Sequence, residues 1–246
     1  MSSEPPPPRR LPSIAVPWDP RDAVTSMLLL LGVNLVAQVI AGAIIGVVAP
    51  DRAAELLRQP EILIATTLFL QVTLVAAAFL LGPARYRVGW SFLGFTRTSM
   101  GRVLAWAAVA FALNIAFNIV YGLLLKEFAP SAVPEPLPPE LQNANTIVLI
   151  VAVALGAPIA EEVYFRGFLF QGLAGSLGVA GAASASALLF GVVHALSGIA
   201  VIPVALFAGV VFALVFRRTG SIWPSLLAHL AQNSIALYSV LSMPEG

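Results

Sequence analysis

Residues 146–170 read TIVLIVAVALGAPIAEEVYFRGFLF, an apolar run that contains two glutamates and one arginine. A helix over this stretch, at about 1.5 Å per residue, crosses the roughly 30 Å hydrocarbon core of a bilayer. The run lacks the alternation of apolar and polar residues that membrane β-strands show. The stretch therefore predicts a transmembrane α-helix that carries charges inside the membrane.

The rest of the chain has the composition of a membrane protein. Of its 246 residues, 59% are hydrophobic and only 10% are charged, whereas soluble domains contain about 45–50% apolar and about 25% charged residues. This composition excludes a soluble enzyme and a disordered protein. A net charge of +1 gives no reason to expect nucleic acid as a partner. We predict an all-α fold, a polytopic membrane helix bundle in the lipid bilayer.

Seven apolar segments are long enough, or nearly so, to span a bilayer. They lie at 24–49, 62–82, 103–125, 146–170, 176–197, 199–216 and 221–242. They predict about seven transmembrane helices, within a range of six to eight. We expect three regions: a disordered cytoplasmic tail at 1–22, N-terminal transmembrane helices and loops at 23–145, and a membrane core at 146–242 that contains the charged motif.

The basic residues predict the orientation of the chain. If the spans alternate, nine of the 13 basic residues fall on the side of the N-terminus and three on the other. The nine are Arg9, Arg10, Arg21, Arg85, Arg87, Arg97, Arg102, Arg217 and Arg218; the three are Arg52, Arg58 and Lys126. Because basic residues are enriched in cytoplasmic loops, we expect a multi-pass protein of the cell (inner) membrane with a cytoplasmic N-terminus. The abundance of Ala, Gly, Pro and Arg indicates a bacterial source.

The ionisable residues inside the spans are concentrated in three stretches. They are Glu161, Glu162 and Arg166 in the fourth span, His194 at the end of the fifth, and His229 in the seventh, where Asn233 follows. Each buried charge costs roughly 2.5–3.5 kcal/mol on an insertion scale. Glu162 and Arg166 are four residues apart, so that they can pair on one helix face. Glu161 then has no partner on its own helix and can face a cavity.

This set of side chains suits peptide hydrolysis. A carboxylate in a membrane cavity can act as a general base on water, and a neighbouring histidine can hold that water. His229 and Asn233, one helical turn apart, offer two donors for a developing oxyanion. The chain has no cysteine, and no serine lies in a nucleophile motif. Taken singly, each of these polar residues fits a structural role equally well, as a contact between helices.

Three motifs resemble those of the CAAX prenyl protease and bacteriocin-processing (CPBP, Abi) family of intramembrane proteases. They are Glu161-Glu162-x-x-x-Arg166, Phe190-x-x-x-His194 and His229-x-x-x-Asn233. The resemblance covers roughly 146–237. Each motif alone is weak, but three of them in this order and inside spans make a specific pattern.

The resemblance implies an intramembrane endopeptidase whose partner is a membrane protein or peptide substrate. Glu161 and His194 would activate water, and His229 and Asn233 would form the oxyanion hole. Glu162, Arg166 and Phe190 would support the site. We expect no cofactor. A zinc site of Glu161, His194 and His229 is the alternative; the lack of an HExxH motif and the weakness of Asn as a zinc ligand disfavour it. The oligomeric state is not indicated.

Two other functions fit the same residues. A non-catalytic membrane scaffold could keep the fold, and a proton-coupled transporter also places Glu, Arg and His inside the membrane. One conflict arises within the predicted spans: Glu161 and His229 fall about 15 Å from the cytoplasmic end, whereas His194 falls near the outer end. Either the fourth span extends past Gly172 and the fifth begins near Ala182, or the fifth span is tilted.

Overall fold

A computed structural model describes residues 16–133, 141 and 144–242, and those residues form helices and no strand. We number the helices in chain order. They are α1 (Pro20–Val48), α2 (Ala53–Leu56), α3 (Pro60–Ala84), α4 (Met100–Phe128), α5 (Thr146–Val193), α6 (Ile202–Thr219) and α7 (Trp223–Leu241). Single helical turns at Trp90–Leu93 and His194–Ser197 connect some of them. The predicted all-α polytopic bundle is confirmed.

Five helices are long and apolar enough to cross a membrane: α1, α3, α4, α5 and the helix at Ile199–Thr219 that includes α6. The sequence predicts about seven spans, and two features account for the difference. Helix α7, which carries His229, Gln232 and Asn233, is less apolar than these five. Helix α5 is counted as one span, although it contains two helical limbs, 146–177 and 179–193, that are joined by a sharp turn.

The chain reverses direction within α5. Gly178 has φ 66° and ψ 175°, a left-handed φ that favours glycine. The limb after it, 179–193, packs back on the first limb, 146–177. Ser186 Oγ donates to the carbonyl of Phe165 at 3.1 Å, and the rings of Phe165 and Phe190 lie 5.0 Å apart. The first limb thus extends past Gly172, and Phe190, one turn before His194, lies beside Phe165 of the charged motif.

The N-terminal segment is more ordered than its composition indicates. Residues 1–15 lie outside the described residues, but Trp18 is buried and its Nε1 donates to the carbonyl of Phe168 at 3.0 Å. The Asp19 side chain caps α1 by accepting from the backbone N–H groups of Arg21 and Asp22. The prediction of a disordered tail over 1–22 is therefore wrong for 16–22, because the Trp18 indole fills a groove inside the bundle.

The segment between α3 and α4 closes the same end of the bundle. Tyr86 donates its hydroxyl to Asp22 at 2.5 Å, and this hydrogen bond raises the pKa of Tyr86. Leu93 is fully buried against Gly167, where a Cβ atom would lie 2.7 Å from the Leu93 carbonyl oxygen. Only glycine therefore allows this approach, which packs the segment against the part of α5 that carries the charged motif.

Candidate active site

The charged motif begins at the end of a short α-helical part of α5 and continues into a widened, π-helical segment. Ile150–Gly156 and Glu162–Phe170 are π-helical, and Ala157–Glu161 between them is α-helical. Such turns, with hydrogen bonds between residues five apart, are frequent at functional sites. Pro158 lies in the short α-helical part, where its ring would crowd the carbonyl four residues earlier in a regular helix. The widened turn before it relieves this contact and sets the position of the two glutamates.

Glu162 and Arg166 form a buried ion pair. Arg166 Nη1 lies 2.9 Å from Glu162 Oε1, and both side chains are almost completely excluded from solvent. The guanidinium lies 4.6 Å from the ring centre of Phe190 and 5.1 Å from that of Phe212. Because aromatic faces attract cations, the two rings partly replace water around the charge. The predicted pairing of Glu162 with Arg166 is confirmed.

His229 on α7 contacts both glutamates. Its Nδ1 lies 3.2 Å from Glu162 Oε1, and since a carboxylate accepts, this nitrogen carries the proton. Its Nε2 lies 3.6 Å from Glu161 Oε2, longer than a direct hydrogen bond. The Glu162 side chain is 0% exposed, whereas that of Glu161 is 18% exposed. Glu161 is therefore the carboxylate that a water molecule or a substrate can reach.

His194 has a defined tautomer in its neutral form. Its Nδ1 lies 2.8 Å from the carbonyl oxygen of Phe190, which can only accept, so Nδ1 carries the proton and Nε2 keeps a lone pair. Phe190 lies between the histidines, with ring centres 4.4 Å from His194 and 6.2 Å from His229. Within the part of the chain that the structure describes, Glu161 and His194 form no direct ion pair.

Asn233 faces the first widened turn of α5. Its Nδ2 donates to the carbonyl of Val153 at 3.0 Å, which uses one of the two N–H groups of the amide. The adjacent Gln232 accepts a hydrogen bond from Asn114 on α4 at 3.3 Å. The predicted pair of His229 and Asn233 therefore lies on the α5 side of α7, with Asn233 one turn beyond the glutamates.

The described side chains do not assemble a metal site. Among residues 16–133, 141 and 144–242, no group of three or more His, Cys, Asp or Glu side chains is placed to hold a metal ion. The alternative zinc ligands Glu161, His194 and His229 thus do not fit a coordination sphere in this arrangement, and we derive no step through a metal.

Phe212 on α6 is a site residue that the sequence did not reveal. Its ring stacks on His229 with centres 5.1 Å apart and also contacts the Arg166 guanidinium. It is fully buried. No signal in a single sequence distinguishes it from the other phenylalanines of the apolar helices, because it carries no polar atom and lies in no motif.

Comparisons with known proteins show what this chain is similar to. A family model described as Type II CAAX prenyl endopeptidase Rce1-like matches residues 143–235. A Bacillus subtilis (strain 168) protein named "Putative membrane peptidase YdiL" is 28% identical over 149 residues. That alignment covers 57% of this chain and 58% of the relative, so the chain spans less than two thirds of the relative's length. No solved structure matches. The matched region contains all three motifs and the buried site, and the resemblance of this multi-pass membrane protein to the CAAX prenyl endopeptidases is therefore confirmed.

Proposed function

We propose that this protein is an intramembrane endopeptidase of the CPBP type that hydrolyses a peptide bond of a membrane-associated protein or peptide. One observation carries the proposal: His229 lies between the buried Glu162, which Arg166 neutralises, and the partly exposed Glu161. A purely structural cluster would gain nothing from a second, partly exposed carboxylate, because charges inside a membrane are costly.

In the proposed reaction, Glu161 takes a proton from water while the water oxygen bonds to the substrate carbonyl carbon. His194, through the lone pair on Nε2, orients the same water. The oxyanion is stabilised by His229, when Nε2 is protonated, and by the second N–H of Asn233. The C–N bond then breaks, and the proton held by Glu161 passes to the leaving nitrogen. A carboxylic acid and an amine result, without a covalent intermediate, and the acid then loses its proton to solvent.

The fixed surroundings of these groups support the mechanism. Arg166 and Phe212 hold Glu162 and His229, so that neither must reorganise as charge develops. Phe190 positions His194 through its backbone carbonyl. The excess of basic residues on one side supports a cytoplasmic N-terminus in the cell membrane. The proposal includes no metal and no nucleic acid.

The test compares Glu161→Gln with Glu61→Gln in protein reconstituted in liposomes with a quenched-fluorescence peptide library. Glu61 is exposed at the start of α3, outside the site. We expect Glu161→Gln to lower the cleavage rate by about 10²–10⁴-fold, since general acid–base catalysis contributes that much, and Glu61→Gln to leave it unchanged. Unchanged cleavage by Glu161→Gln would favour the scaffold alternative. Stoichiometric zinc in active protein, with loss of activity on chelation, would replace the metal-free mechanism.

A further inference from the structure

Pro158 leaves one carbonyl of α5 without its helical partner. The backbone N–H of Ala157 bonds to the carbonyl of Ala152, five residues earlier. If the same spacing of five residues continued, the next backbone N–H would come from residue 158 and would bond to the carbonyl of Val153. Proline has no N–H. Inside a bilayer no bulk water can take its place, so that a neighbouring group must satisfy the carbonyl.

Asn233 is placed to satisfy this carbonyl. Its Nδ2 donates to the Val153 oxygen at 3.0 Å from the adjacent helix α7. A second side chain, Gln71 on α3, donates to the neighbouring Ala152 carbonyl at 2.7 Å. That carbonyl already accepts the backbone N–H of Ala157. The two side-chain bonds are therefore alike in chemistry, but only the one from Asn233 replaces a missing backbone donor.

We propose that Asn233 is a positioning residue that supplies the N–H that Pro158 lacks and so fixes α7 against the widened turn of α5. Asn233 lies one turn from His229, and Val153 lies about two turns before Glu161 on the other helix. The bond therefore fixes the position of His229, along the axis of α7, relative to the two glutamates on α5. The inference deepens the proposed function, in which the second N–H of Asn233 serves the oxyanion, and it rests on that function only for its effect on cleavage.

A double-mutant cycle with Pro158→Ala tests the inference, because alanine restores a backbone N–H at position 158. The measurement is the thermal unfolding midpoint in detergent without substrate. Asn233→Ala should lower the midpoint by about 2–6 °C in the presence of Pro158 and by less than half as much in the Pro158→Ala background. Gln71→Ala is the matched control and should lower it equally in both backgrounds. An equal effect of Asn233→Ala in both backgrounds would overturn the inference.

Two further measurements keep the test decisive. If Asn233→Ala alone does not fold, the double variant with Pro158→Ala should still be recovered folded; failure of both would also count against the inference.

In cleavage assays, kcat should fall for Asn233→Ala in both backgrounds if the oxyanion role holds. Recovery of kcat in the double variant would support positioning and remove Asn233 from the oxyanion hole. Absence of cleavage by the unmodified protein would refute the proposed function, while the unfolding cycle would remain readable.

Discussion

Helices α1 and α5 are both apolar enough to cross a membrane, but they use that apolarity differently. Of the most apolar stretch of α1, 6% is buried inside the protein, against 39% for α5. In the first turn of α1, the buried Asp22 lies 3.6 Å from Arg85. Farther along α1, the buried polar side chains make neutral contacts: Ser26 with Tyr164, and Asn34 with Thr73. The motif of α5 instead buries a full ion pair. Apolarity thus marks a membrane helix, whereas an ion pair with both partners fully buried marks the helix of the proposed active site.

The largest expected effect on stability comes from breaking the buried pair. Arg166→Met keeps the length of the side chain but leaves the buried Glu162 charge without its arginine, with only the hydrogen bond from His229. We expect the free energy of unfolding in mixed micelles to fall by about 3–5 kcal/mol, as is typical when one partner of a buried pair is removed. Loss of the folded protein on expression would be the same effect in an extreme form.

The control is an ion pair of equal length in a different environment. Arg52 and Glu55, beyond the end of α1, lie 2.9 Å apart with both side chains about 60% exposed. Exposed pairs contribute little because water already solvates both charges. Arg52→Met should therefore leave the unfolding transition unchanged. Equal effects of the two arginine substitutions would show that the burial of Arg166 is not what distinguishes the site.

The next effect concerns the aromatic lining of the site. Phe212→Leu keeps an apolar side chain but removes the ring that faces Arg166 and His229. A desolvated cation–π contact contributes about 2 kcal/mol, and we expect a loss of unfolding free energy of about 1–2 kcal/mol together with slower cleavage. Phe207→Leu, on the same helix, removes a ring that stacks on Phe117 at 4.2 Å instead. It should leave the cleavage rate unchanged, and an equal rate loss in both variants would refute a specific role of Phe212.

These residues show what the sequence could and could not predict. The pair of Glu162 and Arg166 was predictable because charges four residues apart on one helix meet, and because charges are rare in this chain. Phe212 was not, since an apolar residue gives no signal within an apolar helix. The turn at Gly178 was also hidden: several glycines lie close together there, and composition does not show which one adopts a positive φ.

The order of the N-terminal segment was not predicted because its average composition is misleading. Its prolines and charges gave a polar average, within which one tryptophan carries the packing. The indole of Trp18 stacks on Phe168, with centres 5.6 Å apart, and fits beside Gly172, where a Cβ would lie 2.9 Å from it. Tertiary contact, not local composition, orders this segment, and such contact is not visible in a stretch considered alone.

Trp18 therefore offers a smaller test of how the N-terminal half is connected to α5. Trp18→Phe keeps a ring but removes the donor to the Phe168 carbonyl. We expect a loss of about 1 kcal/mol in unfolding free energy, the usual net contribution of one hydrogen bond. Trp90→Phe is the matched control, because Trp90 is 46% exposed and contacts Phe79 through its ring face. A larger loss for Trp90→Phe would contradict the importance that we assign to the buried indole.

The smallest effect is expected on the outer face of α1. Leu31 is 59% exposed, and in a membrane that exposed surface contacts acyl chains. Lipid is as apolar as leucine, so packing against it gives no hydrophobic gain on folding. Leu31→Ala should change the unfolding free energy by less than about 0.5 kcal/mol. Leu169→Ala, at a site in α5 that is 2% exposed, should cost about 2–5 kcal/mol because it leaves a cavity. If Leu31→Ala approached that cost, α1 would have a protein partner on this face, and its low burial would reflect a missing neighbour instead of lipid.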